Sequence, residues 1–313
     1  MGFIPSYSLM DRCFTPFLIS AMATLFGCQK IEIDSSYHFS HVKETLIADK
    51  DVIVFPELRE RQSMVFYQDK AIFVLGQSCE IYDLRSFSRK ASLTLPCDGY
   101  AVPHSNSLCL GPNKYSKGSL FPAMYVSSWS NGRQAFVYDI FEKGESSHAS
   151  LVQVIDPGLV NEDIIGLGYL DWVVDGENGF LYSLAYHLED TSTLSEGNYI
   201  HVTKFILPTF EKEIVLLADS DVIESYHVPV MTIFQDKCFI NGSIYIASGH
   251  SGLGSNYSPK LFSINTNTKV MTEIPIPLEG EPEGLCSHEG QLWLNLYGST
   301  KVYNLNSIIT QLW

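Results

Sequence analysis

Glu289-Gly-Gln-Leu-Trp-Leu-Asn-Leu-Tyr-Gly298, followed by Lys301-Val-Tyr-Asn-Leu305, is the stretch on which the fold turns. A tight polar turn leads into an apolar strand that carries an aromatic residue, and after a second turn another short strand returns. The same unit recurs at Asn241-Gly-Ser-Ile-Tyr-Ile-Ala-Ser-Gly249 before Lys260-Leu-Phe-Ser-Ile264. It recurs again at Gln68-Asp-Lys-Ala-Ile-Phe-Val-Leu-Gly76 before Glu80-Ile-Tyr-Asp-Leu84. Two looser copies are Ser119-Leu-Phe-Pro-Ala-Met-Tyr-Val-Ser127 before Ala135–Ile140, and Glu177-Asn-Gly-Phe-Leu-Tyr-Ser-Leu184 before Tyr199–Phe205.

The marker aromatics of these copies are Phe73, Tyr125, Tyr182, Tyr245 and Trp293. Short strands recurring every ~40–50 residues, with Gly, Asn, Asp and Pro between them, are the mark of β-propeller blades. One such sheet has two apolar faces that it cannot bury alone, so the blades must stack in a ring. The chain reads as all-β, a five-bladed β-propeller. A six-bladed ring would require more strands within 34–58 and 211–232. After Leu305 only Asn306 to Trp313 remain, enough for at most a frayed outer strand. The segment Ser40 to Val54 has no copy of its own and is expected to supply the outer strand of the last blade, closing the ring.

Composition agrees with a folded chain. Of 313 residues, 45% are hydrophobic and 18% charged, which excludes wholesale disorder. Aromatics make up 12%, a richness that favours strands. Asp and Glu number 35 against 20 Lys and Arg, a formal charge of −15. Such a surface repels nucleic acid and anionic lipid, and no basic stripe with interleaved aromatics is present, so nucleic acid is excluded as a partner.

Arg12 precedes the apolar run Phe14 to Phe26, then Gly27-Cys28. The run is shorter than the ~20 residues that span a bilayer, and it has the length of a signal-peptide core. Leu25-Phe26-Gly27-Cys28 resembles a bacterial lipobox, with Cys28 as the lipidated residue. The following Gln29-Lys30-Ile31-Glu32-Ile33-Asp34 resembles surface-export signals of Bacteroidetes lipoproteins. The expected organisation is a lipoprotein signal peptide over 1–27, a linker over 28–39 after lipidated Cys28, and a single β-propeller domain over 40–313. The expected location is the cell envelope, as an outer-membrane lipoprotein that touches the membrane through its anchor only. Five cysteines remain beyond residue 28, with no CxxC and no zinc spacing, which argues against a disulfide framework or structural metal cluster and leaves room for one disulfide.

Counting back from the turn residues Gln68, Asn241 and Glu289 reaches Gln62, Gln235 and Glu283 at the start of the innermost strands. His104 and Asn106 occupy the same place in the second copy, and Asp171 in the third. Together these residues would form a polar ring at the mouth of the central channel. Polar residues at strand entries also serve as local caps of backbone N–H groups. Three positions further on, Cys109, Cys238 and Cys286 align with Val65. The reading there is small apolar residues where inner strands crowd. Glu281-Pro-Glu283-Gly-Leu285 sets two carboxylates at the entry of the last inner strand, where they could hold Ca²⁺, act as an acid/base pair, or stand solvated beside a turn. No other cofactor is expected, and no metal is assigned. His250-Ser-Gly-Leu-Gly-Ser-Asn256 lacks the Lys-Ser/Thr of a phosphate loop. His187, His201, His227 and His288 show no paired metal-ligand spacing, and no GxSxG nucleophile elbow is present.

At His104-Ser-Asn-Ser-Leu108, Phe121-Pro-Ala-Met-Tyr-Val-Ser127 and Glu281-Pro-Glu-Gly-Leu285 the chain resembles secreted bacterial propellers. Among named groups it is similar to the NHL/SMP-30-like propellers and to the propeller domains of teichoic-acid-associated and phage receptor-binding proteins. The resemblance implies a propeller with a site at the channel mouth, and does not imply lactonase activity. The expected function is a binding module for a glycan, a peptide or an envelope protein. The alternative is a metal-assisted lactonase, lyase or glycosidase at the same mouth, using Glu283 and Asp171 with His104. An assembly scaffold on the envelope is a third reading.

Overall fold

A computed structural model describes residues 38–39, 51–100, 105–128, 132–187, 198–229, 234–249 and 259–309. Cys28 and His104 lie outside the described residues, as does the loop 250–256; for Asn106 only the backbone is described.

Strands β1 (His38–Phe39) and β2 (Val52–Val54) precede the blades. The first blade comprises β3 (Ser63–Tyr67), β4 (Lys70–Leu75), β5 (Ser78–Asp83) and β6 (Arg89–Thr94). The second comprises β7 (Ser105–Leu110), β8 (Met124–Ser128), β9 (Ala135–Lys143) and β10 (Ser146–Leu159). A single helical turn, α1 (Glu162–Ile165), leads into the third: β11 (Leu170–Asp175), β12 (Phe180–His187), β13 (Tyr199–Ile206) and, after β14 (Ile214–Ala218), β15 (Val222–Pro229). The fourth is β16 (Phe234–Ile240), β17 (Ser243–Ser248), β18 (Lys260–Asn265) and β19 (Met271–Pro275). The fifth is β20 (Pro282–His288), β21 (Gln291–Leu296) and β22 (Lys301–Asn304), with α2 (Asn306–Ile309) after it. The five sheets make a five-bladed β-propeller. Residues 211–232, where a sixth blade was conceivable, supply β15 to the third blade and β14 to the second, where β14 pairs in parallel with β10.

The ring closes as the sequence led us to expect. Val52–Val54 pairs antiparallel with Tyr303 to Lys301 and forms the outer strand of the last blade. The C-terminal end differs from expectation: Asn306–Ile309 is a helical turn, not a strand. Ile308 and Ile309 bury against Leu292, Leu305 and their neighbours, which four residues of extended chain past β22 could not do together. Two residues of the stretch read as a linker, His38 and Phe39, pair in parallel with Thr272 and Glu273 at the edge of the fourth blade.

All five marker aromatics stand on second strands, but not all on one face. Tyr125, Tyr245 and Trp293 lie opposite Cys109, Cys238 and Cys286. In the first and third blades those places belong to Ile72, opposite Val65, and Leu181, opposite Val174. Phe73 and Tyr182 sit one residue along and therefore point to the other face, because side chains alternate with period two. Both are buried there, against neighbouring blades.

Turns between first and second strands set the register. Asn241 (φ 50°) with Gly242 (φ 76°), and Glu289 (φ 52°) with Gly290 (φ 73°), adopt the left-handed pair that a two-residue hairpin of this twist needs. Glu pays a steric penalty there that Asn largely escapes. Glu289→Asn is therefore expected to raise the unfolding free energy by about 0.5–1 kcal/mol, read as a higher denaturation midpoint with an unchanged slope.

Candidate functional site

The first strands β3, β7, β11, β16 and β20 surround the axis. Three of them carry a one-residue bulge near their start, between Ser105 and Ser107, between Phe234 and Lys237, and between Pro282 and Gly284. The bulged positions are Asn106, Gln235–Asp236 and Glu283, all at or beside places the sequence singled out. A bulge re-aims side chains without ending the strand. Gly284 shows how little room is left: a Cβ there would stand 3.1 Å from Met64 Cγ and 3.3 Å from Asn295 Cβ.

Asp236 is fully buried at the centre of this crowding. Its Oδ2 accepts from Ser63 Oγ of the first blade at 2.6 Å and from the Leu285 N–H of the fifth at 2.8 Å. Its Oδ1 accepts from the Lys237 N–H at 2.8 Å. Burial raises its carboxyl to about 7 despite these donors. Beside it, Lys237 is also fully buried; its ammonium pairs with the Asp171 carboxylate of the third blade and donates to the Gln235 carbonyl at 2.7 Å. Tyr186 donates to Asp171 at 2.5 Å, and its own ionisation is suppressed by burial and by that carboxylate. Asp171 is thus a structural partner of Lys237 and Tyr186, locked between blades.

At the surface of the same end, Gln235 Nε2 donates to Glu281 Oε1 at 2.8 Å. Glu283 is buried, and burial together with Glu281 and Asp236 pushes its carboxyl up to about 9, with a hydrogen bond between the two glutamates. Glu283 therefore keeps its proton near neutrality. Tyr297 follows β21 and donates its N–H to the Glu281 carbonyl at 2.7 Å. Tyr297 is 46% exposed, and its hydroxyl, hydrogen-bonded to Glu60, ionises less readily than usual. Gln62 stands half-buried at the head of β3.

The structure thus brings Gln235, Glu281 and Glu283 into one hydrogen-bonded chain and places Asp171 in the wall beneath. Sequence reasoning missed Asp236, Lys237, Tyr186 and Tyr297. The run Phe234-Gln-Asp-Lys-Cys238 held the signal, since three polar residues at the start of an inner strand must go somewhere, but the bulge that buries two of them is invisible in the sequence.

The opposite end of the channel holds a cavity of about 300 Å³. Val65, Cys109, Val174, Cys238 and Cys286 line it, with Asn241, Glu177 and Glu289 at its rim. All five described cysteines are free thiols. Burial raises the three in the cavity, Cys109 to about 12, so they are protonated and behave as small apolar groups. Among the described residues no three His, Cys, Asp or Glu side chains are placed to hold a metal ion.

Three histidines gather on the third blade, which their spacing did not suggest. His227 Nε2 lies 3.0 Å from His201 Nδ1, and His201 Nε2 lies 2.5 Å from Ser225 Oγ. Tyr199 stacks between His187 and His227. Ser225 and Thr203 both donate to the Ile164 carbonyl, which ties α1 to the blade. Burial lowers His201 to about 4, so it is neutral at physiological pH.

No family model matches the sequence, and no curated protein matches it. Among solved structures the chain is similar to the crystal structure of glutaminyl cyclase from Myxococcus xanthus, at 12% identity over 87% of this chain and 97% of that one, with a TM-score of 0.46. It is similar also to hydrazine synthase from Kuenenia stuttgartiensis, at 11% identity over 78% of this chain and 75% of that one, with a TM-score of 0.43. Nothing of either protein's chemistry transfers at such values. The sheet arrangement itself defines the class, a five-bladed propeller with a polar channel mouth.

Two predictions test this geometry. Lys237→Met leaves the Asp171 charge buried without its cation, and is expected to cost about 3–5 kcal/mol in denaturant unfolding. Asp236 and Glu283 keep protons in the folded chain at pH values where the unfolded chain has released them. Their contribution to stability is full below about pH 4 and is lost as pH rises through about 7 for Asp236 and about 9 for Glu283. Tm of Glu283→Gln should therefore fall less than that of the unsubstituted chain between pH 5 and 9; parallel pH profiles would contradict the assignment.

Proposed function

We propose that this propeller is a binding module for a neutral glycan, engaged at the strand-entry mouth of its channel. The carrying observation is the exposed Tyr297 beside the Gln235–Glu281–Glu283 chain. A protonated Glu283 donates, Glu281 accepts, and the Gln235 amide does both. Sugar hydroxyls are likewise donors and acceptors, so a mixed set suits them. An aromatic ring with a wet edge adds an apolar platform for the face of a pyranose. The formal charge of −15 disfavours polyanionic ligands. Asp171 gives little support to an acid/base role, since its carboxylate is ion-paired and hydrogen-bonded within the wall.

The same reading keeps the chain on a bacterial envelope, anchored in the outer membrane through Cys28. Arg12, the apolar run and Leu25-Phe-Gly-Cys28 support this. Incorporation of labelled palmitate, abolished in Cys28→Ser, is the expected result.

Titration calorimetry of the full chain against neutral oligosaccharides tests the ligand class. Binding should weaken at least tenfold in Tyr297→Ala and in Glu281→Gln, with Tm little changed. A Tm increase with Ca²⁺ that is lost in Glu283→Gln, without any glycan response, would replace the glycan by a cation at the same carboxylates. Silence to both would remove the mouth as a binding site.

A further inference from the structure

Among the described residues, strand β14 is an open sheet edge of unusual composition. It reads Ile214-Val-Leu-Leu-Ala218, five apolar residues added in parallel to the outer strand of the second blade. Two of the other outer strands carry charge: β6 begins with exposed Arg89 and Lys90, and β15 carries Glu224 and His227. On β14 the side chains of Ile214 and Leu216 are 55% and 57% exposed, while Leu217 is buried. Leu159, paired with Ala218, continues the exposed apolar surface on β10.

The backbone parity of this edge follows from two hydrogen bonds. The Val154 N–H donates to the Glu213 carbonyl at 2.7 Å, so Glu213 faces β10. The Ala218 N–H turns the other way, onto Asp221 Oδ2 at 2.8 Å. Alternation along a parallel ladder then directs N–H and C=O of Ile214 and Leu216 to the open side. The fold takes such additions elsewhere, since His38–Phe39 joins the edge of the fourth blade.

Charge identifies the occupant. Glu211 and Glu213 precede the strand, Asp219 and Asp221 follow it, all exposed, and Lys212 is the one cation in 211–221. A second copy paired antiparallel about a twofold axis would set Glu213 of one chain against Asp219 of the other, with like charges at both ends. We propose that β14 docks an extended segment of another protein, with apolar residues at alternate positions and lysine or arginine at its ends. Main-chain bonds to Ile214 and Leu216 supply the strand pairing, their side chains with Leu159 supply the apolar contact, and the acidic flanks select the ends.

The test uses the full chain and a fluorescein-labelled peptide, Lys-Lys-Val-Thr-Val-Thr-Val-Lys-Lys, followed by anisotropy. A control of equal charge, with proline for the central valine and for one adjacent threonine, lacks an N–H on either side of the chain and cannot pair as a strand. Saturable binding at least tenfold tighter than that of the proline control is expected, with a Glu-flanked analogue weaker still. Leu216→Pro removes an outward N–H and the exposed leucine side chain but no bond to β10, and should lower affinity at least tenfold at near-normal Tm. If that variant folds poorly, the double substitution Ile214→Thr, Leu216→Thr keeps the strand and should lower affinity similarly. Equal binding of the proline control, no saturable binding, or a concentration-dependent dimer dissolved by Leu216→Pro would each overturn the proposal.

Discussion

One carboxylate, Asp236, holds the centre of the ring. Five strands converging on an axis leave little space, and whatever lies between them must be small or must bond to its neighbours. Here the first blade offers Ser63, the fifth offers the Leu285 N–H beside a glycine, and Asp236 accepts from both. A buried carboxyl loses its hydration, and the donors gathered around it offset that loss only in part, which is why it retains a proton so far above the usual range. The Lys237–Asp171–Tyr186 knot does for the third and fourth blades what Asp236 does for the first, fourth and fifth.

These knots decide what the mouth can do. Groups spent on holding blades together are withdrawn from a ligand. What stays presentable is the outer layer, Gln235, Glu281 and Tyr297, carried on the first strand of the fourth blade, the entry to the fifth and the connection after β21. Of the three buried carboxyl groups at this end, Asp171 already has a cation in Lys237, while Asp236 and Glu283 are held by hydrogen bonds and by their raised proton affinity.

The two ends of the channel differ for a reason rooted in the turns. At one end two-residue hairpins such as Asn241-Gly242 and Glu289-Gly290 bring the chain straight back and leave an apolar, thiol-lined cavity. At the other the blades are joined, and there the polar residues collect. The outer rim behaves differently again: it gains strands in parallel, β1 and β14, that belong to no repeat.

The repeat rhythm was legible because each blade must bury two faces, so apolar alternation, an aromatic and a tight turn recur whatever the neighbours are. The all-β class, the five blades, the clasp by Val52–Val54 and the alignment of Cys109, Cys238 and Cys286 all follow from that local periodicity. The first-strand entries were legible as a set of positions, and Gln235, Glu281 and Glu283 do share hydrogen bonds. Their roles were not. A one-residue bulge leaves no trace in the alternation yet decides whether Gln235, Asp236 or Lys237 faces the axis. A slip of one residue put Phe73 and Tyr182 on the other face. Cross-strand partners such as His201 and His227 are 26 residues apart in the chain and meet only through register. Local pattern determines which strands form. Which polar group is buried, and against what, is decided by bulges and by contacts between blades, and these exist only once the ring has closed.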